Sequence, residues 1–138
     1  MKKIVCVCTG NTCRSPMAAA FLKRALPDRE VSSAGLHASP GQPATPEAVQ
    51  VMRERGIDIS GHRSRPFSCG MADGAVLVAL TAAHADRMRA LCPGADVIRY
   101  LGGADVPDPF GGSLESYRKT AFLLESGVGE LVNRLKFR

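Results

Sequence analysis

A thiol and a guanidinium lie six residues apart in the segment Cys8-Thr9-Gly10-Asn11-Thr12-Cys13-Arg14-Ser15-Pro16. Gly10 and Asn11 tolerate left-handed backbone angles, so a loop this short can turn successive N–H groups inward as a cradle for a tetrahedral oxyanion. A helix starting at its far end adds partial positive charge. Arg14 then clamps two equatorial oxygens with its planar fork, and the same field favours the thiolate form of Cys8, a nucleophile. A lone cysteine after an apolar run is more often a small, inert core residue. Here the nucleophile, the turn glycine, the arginine, and a serine and proline that read as N-cap and first helical residue all agree.

Covalent chemistry at such a cysteine also needs a proton donor for the leaving atom and a base to activate water, and one carboxyl can serve both steps. Asp108 suits the task. Pro107 and Pro109 restrict its backbone, and Gly102, Gly103, Gly111 and Gly112 make the surrounding loop turn-rich. Asp105 is the nearby competitor. Phe110, beside the acid, reads as a wall of the substrate cleft.

The elements that must position these groups follow from the apolar pattern. Ile4 to Cys8 and Ala75 to Leu80 are unbroken apolar runs, as expected of strands covered on both faces, and Val31 to Ala34 and Val97 to Tyr100 are weaker strand candidates. Met17, Ala18, Phe21, Leu22 and Ala25 form one face of a helix that Pro27 stops. Thr45-Pro46 starts a second helix that Gly56 closes. A third runs from Thr81 to Leu91, and a long fourth begins near Ser113, with Gly127 and Gly129 weakening its middle. Strand and helix alternate four times. The expectation is a small doubly wound α/β fold, a four-stranded parallel sheet with helices on both faces in a single domain of residues 1–138. Ligands bind beyond the carboxyl ends of such strands, where Cys8 sits.

Composition excludes several classes. No apolar run approaches the roughly 20 residues of a membrane helix, and the basic start Met1-Lys2-Lys3 leads into too short a run for a signal peptide. A cytoplasmic protein with no membrane partner is expected. Eighteen Lys and Arg against thirteen Asp and Glu leave a charge of +5, but the cations are scattered in small groups, so no nucleic-acid partner is expected. Cys6, Cys8, Cys13, Cys69 and Cys92 show no repeated Cys-x-x-Cys spacing, which reads as reduced thiols rather than a disulfide framework or zinc site. His37, His62 and His84 are too scattered to argue for a metal, and no metal or other cofactor is expected.

Residues 8–16 resemble the signature C-x-G-N-x-C-R-S-P of the low-molecular-weight protein tyrosine phosphatase family. The similarity extends to Ser33-Ala34-Gly35, to Gly56-Ile57-Asp58-Ile59-Ser60-Gly61-His62 and to Asp108-Pro109-Phe110-Gly111. The resemblance implies a phosphatase with Cys8 as nucleophile, Arg14 as phosphate clamp and Asp108 as general acid. It implies a loop of Thr9, Gly10, Asn11, Thr12, Cys13 and Ser15 around the phosphoryl group, Ser15 steadying the leaving thiolate. Asn11, Ser33 and His62 then hold the loop in shape.

Two departures bear on substrate. Position 12 carries threonine where many members have a branched apolar residue, and Phe110-Gly111 replaces a tyrosine pair after the acid. Both resemble the bacterial protein arginine phosphatase branch, which implies phosphoarginine proteins as substrates; a monomer is expected. A tyrosine phosphatase is the alternative; a thiol-dependent arsenate reductase fits less well, because Thr81 stands where a resolving cysteine is needed and Cys92 lies alone. Cys13, five residues from Cys8, is the expected partner for an oxidised Cys8.

Overall fold

The computed structural model describes residues 1–138. The chain forms β1 (Lys3–Cys8), α1 (Arg14–Ala25), β2 (Val31–Gly35), α2 (Pro46–Glu54), a 3-10 turn (Cys69–Ala72), β3 (Ala75–Ala79), α3 (Ala82–Leu91), β4 (Asp96–Arg99) and α4 (Leu114–Leu135). All strand pairs are parallel, in the order β2-β1-β3-β4. The expected doubly wound sheet is therefore present. No helix is long and apolar enough to cross a membrane.

The two central strands explain the unbroken apolar runs, since alternate residues enter different cores. Ile4, Cys6 and Cys8 of β1, with Val76 and Val78 of β3, pack under α1, α2 and α4. Val5 and Val7, with Leu77 and Ala79, pack against Ala85 and Met88 of α3. A strand buried on both faces has no polar side to show in sequence.

The changeover from β1–β2 to β3–β4 opens a crevice at the carboxyl ends of β1 and β3, where doubly wound sheets bind ligands. The segment after β4 closes it: Val106 N donates to the Leu80 carbonyl (2.9 Å), laying residues 106–108 across the end of β3. α4 runs unbroken through both glycines, as one long helix beginning after Ser113. A Cβ on Gly127 would lie 2.7 Å from Leu101 Cδ2, so the glycine admits close packing of the loop after β4.

The cysteine reading needs one correction. Cys69 and Cys92 form a disulfide, and only Cys6, Cys8 and Cys13 are free. α3 runs back beside β3, bringing the end of the helix to the turn that precedes the strand.

Candidate functional site

Cys8 ends β1 and is buried, and the chain then turns sharply through Asn11 at φ +57°. That left-handed angle is one asparagine accepts more readily than most residues. Asn11 is fully buried, and its side-chain amide makes three hydrogen bonds. Its Nδ2 donates to Ser15 Oγ (2.8 Å) and Ser33 Oγ (2.9 Å), while Oδ1 accepts from Arg65 N (3.0 Å). His62 Nε2 donates to the Asn11 carbonyl (2.7 Å); burial lowers the pKa of this ring, keeping it neutral. Ser33 and His62 thus stand behind the loop.

α1 departs from the expected start. Its N-cap is Cys13, the first helical residue is Arg14, and no side chain caps it, whereas Thr45, Thr81 and Ser113 cap α2, α3 and α4. Ser15 is not the cap, and Pro16 is the third helical residue rather than the first. The Ser15 hydroxyl is drawn inward instead, 3.0 Å from Cys8 Sγ and 3.4 Å from the Ala34 carbonyl. Because Asn11 donates to Ser15 Oγ, the serine proton is left for the sulfur or the Ala34 carbonyl, and the sulfur is the nearer of the two. Asn11 N also points at Cys8 Sγ (3.3 Å). The uncapped first turn keeps its N–H groups for an anion.

Arg14 is 6 % exposed, which is unusual for a guanidinium and requires partners. Nη1 donates to the Val106 carbonyl (3.1 Å) and Nη2 lies 3.6 Å from Asp108 Oδ2. Val106 is itself tied to β3, so the guanidinium is held by the sheet rather than by its flexible stem. Asp108 is half-exposed; its Oδ1 accepts from Phe110 N (3.1 Å), which orients the carboxylate. Cys13 Sγ faces the same carboxylate at 3.9 Å. Burial, with the negative potential of Cys8, pushes the Cys13 pKa up to about 11, so it is a thiol at neutral pH.

A cleft of about 240 Å³ joins Cys8, Thr9, Gly10, Thr12, Cys13, Arg14, Asp108 and Phe110. All eight were expected from sequence. The Thr12 hydroxyl has no hydrogen-bond partner within the protein, and Phe110, 61 % exposed, is the only aromatic ring on the wall. Asp105, the rival acid, is engaged elsewhere: its Oδ1 accepts from Ala82 N (2.8 Å) at the start of α3 and from Arg99 Nη2 (2.7 Å). This arrangement can hold a tetrahedral oxyanion against a sulfur nucleophile, with a carboxyl across the cleft.

Two contributors escaped the sequence reading. Gly35 closes the loop from behind, since a Cβ there would lie 2.5 Å from the Thr9 carbonyl. His84 places Nε2 2.9 Å from Thr9 Oγ1. Its position in the first turn of α3, just past the carboxyl end of β3, is the signal that could have identified it.

Comparison with known proteins agrees with this geometry. The profile described as low molecular weight phosphotyrosine protein phosphatase matches residues 3–138. The protein-arginine-phosphatase of Geobacillus stearothermophilus is 39% identical over 97% of this chain and 96% of its own. A solved mutant of the YwlE arginine phosphatase with a phosphorylated active-site serine superposes with a TM-score of 0.89 at 36% identity, covering 97% of this chain and 95% of that one. The low molecular weight protein tyrosine phosphatase of T. tengcongensis superposes equally well, at 0.89 and 35% identity over 97% and 99% of the two chains. A match along nearly the whole length, joined to a loop built around a cysteine and an arginine, has one meaning: the chain belongs to the low molecular weight phosphotyrosine protein phosphatase family and is a protein phosphatase.

Proposed function

We propose that this phosphatase hydrolyses phosphoarginine in proteins through a phosphocysteine intermediate. In this reading the phosphoryl group sits in the loop from Thr9 to Ser15, clamped by Arg14, and the Cys8 thiolate attacks phosphorus as the P–N bond breaks. Asp108 protonates the leaving guanidine nitrogen. The same carboxylate then takes a proton from the water that attacks the phosphocysteine, releasing phosphate and returning Cys8 as a thiolate. Ser15 Oγ, 3.0 Å from the sulfur, donates to that thiolate. The phosphorylated active-site serine reported for the YwlE mutant supports a covalent route.

The observation that carries the choice of substrate is the Thr12 hydroxyl, unpartnered on a cleft wall that has a single aromatic ring. A guanidinium is planar and rich in donors and needs acceptors around it, whereas a phenyl ring needs apolar surface. Thr12 and Asp108 supply acceptors. Phe110 favours the second reading, a tyrosine phosphatase. An arsenate reductase draws no support from Cys92, whose disulfide with Cys69 lies at the end of α3 away from Cys8.

The deciding experiment compares kcat/KM on phosphoarginine and phosphotyrosine peptides for the wild type and Thr12→Ile. Loss of a hydrogen bond to a charged group, about 1.5–3 kcal/mol, should lower the phosphoarginine value roughly tenfold to a hundredfold. Phosphotyrosine turnover should hold or rise. A wild type preferring phosphotyrosine overturns the assignment, and equal losses on both substrates remove Thr12 as its cause. The same reading takes the protein as a cytoplasmic monomer of one domain acting on phosphorylated proteins, with no cofactor.

A further inference from the structure

His84 stands outside every role assigned so far, yet it is held more firmly than a packing residue requires. Its backbone N donates to Thr81 Oγ1 at 3.1 Å, and Ala82 N donates to Asp105 in the same turn. The ring is 6 % exposed, with Nε2 on Thr9 Oγ1 at 2.9 Å and Nδ1 buried without a partner. Burial, and then the charge of Arg14, lower its pKa to about 4; the carboxylates of Asp105 and Asp108 oppose this only in part. The imidazole is therefore neutral at pH 7, with one N–H to place.

Satisfaction of buried polar atoms decides the placement. A proton on Nδ1 would be an orphaned buried donor, whereas a proton on Nε2 meets Thr9 Oγ1 and leaves only a bare lone pair on Nδ1. Thr9 Oγ1 then accepts from His84, so its own proton must point elsewhere. Thr9 is exposed, lines the cleft beside Cys8 and makes no other side-chain hydrogen bond within the protein. The two threonines of the loop thus differ: the Thr12 hydroxyl can turn freely, while that of Thr9 is held by the bond it accepts from His84 and keeps its proton free to donate.

We infer that His84 is a positioning residue that fixes the Thr9 hydroxyl as a proton donor toward the phosphoryl group, adding a side-chain donor to the backbone N–H groups of the loop. This rests on the reading of residues 8–14 as a phosphoryl site. Thr9 lines the cleft together with Cys8, so in that reading the contact serves the transferred group and is indifferent to what the phosphoryl group leaves.

The test is a double-mutant cycle of Thr9→Val and His84→Leu, with His84→Gln as the variant that restores an N–H donor. Kinetics are read on an aryl phosphate and a phosphoarginine peptide. Each single change should lower kcat/KM about tenfold or more, equally on both substrates. The double variant should be no worse than either single, and His84→Gln should recover most of the loss. Multiplying effects, a harmless His84→Leu, or a His84→Gln no better than leucine would overturn the inference. Where His84→Leu does not fold, Thr9→Val decides: an unchanged rate on both substrates overturns it. Should the wild type hydrolyse neither substrate, the proposed function fails by itself. The affinity for inorganic phosphate, measured calorimetrically, then reads the donor directly; a Thr9→Val value equal to wild type would refute it.

Discussion

Asn11→Ala tests whether one buried amide holds the whole catalytic loop. The change deletes three side-chain hydrogen bonds, to Ser15 Oγ at 2.8 Å, to Ser33 Oγ at 2.9 Å and from Arg65 N at 3.0 Å, and puts alanine at φ +57°. Each bond is worth about 0.5–1.5 kcal/mol, and a left-handed angle costs a residue with a Cβ about 1–2 kcal/mol, so the total loss is about 2.5–6.5 kcal/mol. A domain of this size is stable by about 5–15 kcal/mol, so the variant should fold with a much reduced margin. Asn11→Gly loses the same bonds without the strain and should be about 1 kcal/mol more stable than the alanine variant. Both should lose kcat by roughly tenfold to a hundredfold, the worth of a hydrogen bond to a charged group, because the Ser15 proton is no longer directed to Cys8. Urea denaturation gives the stabilities and aryl phosphate turnover gives the rates. An alanine variant within about 0.5 kcal/mol of wild type, or one more stable than the glycine variant, would refute the argument. So would an unchanged kcat.

Four further outcomes are expected. Cys8→Ser should abolish turnover while retaining phosphate binding, which calorimetry would detect, because the loop and Arg14 remain; easily measured activity would contradict covalent catalysis. Asp108→Ala should slow hydrolysis by roughly 10² to 10⁴, whereas Asp105→Ala should mainly lower the melting temperature, by removing the acceptor that Ala82 N and Arg99 share at the start of α3; the reverse kinetic pattern would exchange the two assignments. Replacing Cys69 and Cys92 by serine should cost about 3 kcal/mol for a closed loop of this length and roughly 10 °C in Tm, with kcat unchanged, since the bridge lies at the other end of α3; calorimetry and aryl phosphate kinetics check both. Hydrogen peroxide should oxidise the Cys8 thiolate to a sulfenic acid, which the Cys13 thiol then condenses to a disulfide with release of water, reversibly with added thiol. Mass spectrometry finding overoxidised Cys8 and no Cys8–Cys13 link would count against it.

Whatever depends on neighbours in the chain was legible from sequence alone. The apolar runs of β1 and β3 mark central strands, Thr45-Pro46 and Ser113 mark helix starts, and residues 8–14 mark an anion loop, because period, capping and turn chemistry act over a few residues. Asp108 was favoured over Asp105 by its flanking prolines and glycine-rich loop, and more strongly by resemblance; the structure adds that Asp105 is spent on α3 and Arg99. Ser15 was misread as a cap because local rules favour a hydroxyl there, and the pull of Cys8 and Asn11 on it is visible only once β1 and α1 are packed. The bond between Cys69 and Cys92 and the contact of His84 with Thr9, 75 residues away, likewise depend on α3 returning antiparallel beside β3. Crossover geometry is a property of the assembled sheet, so pairings it creates leave no spacing in the chain by which to read them.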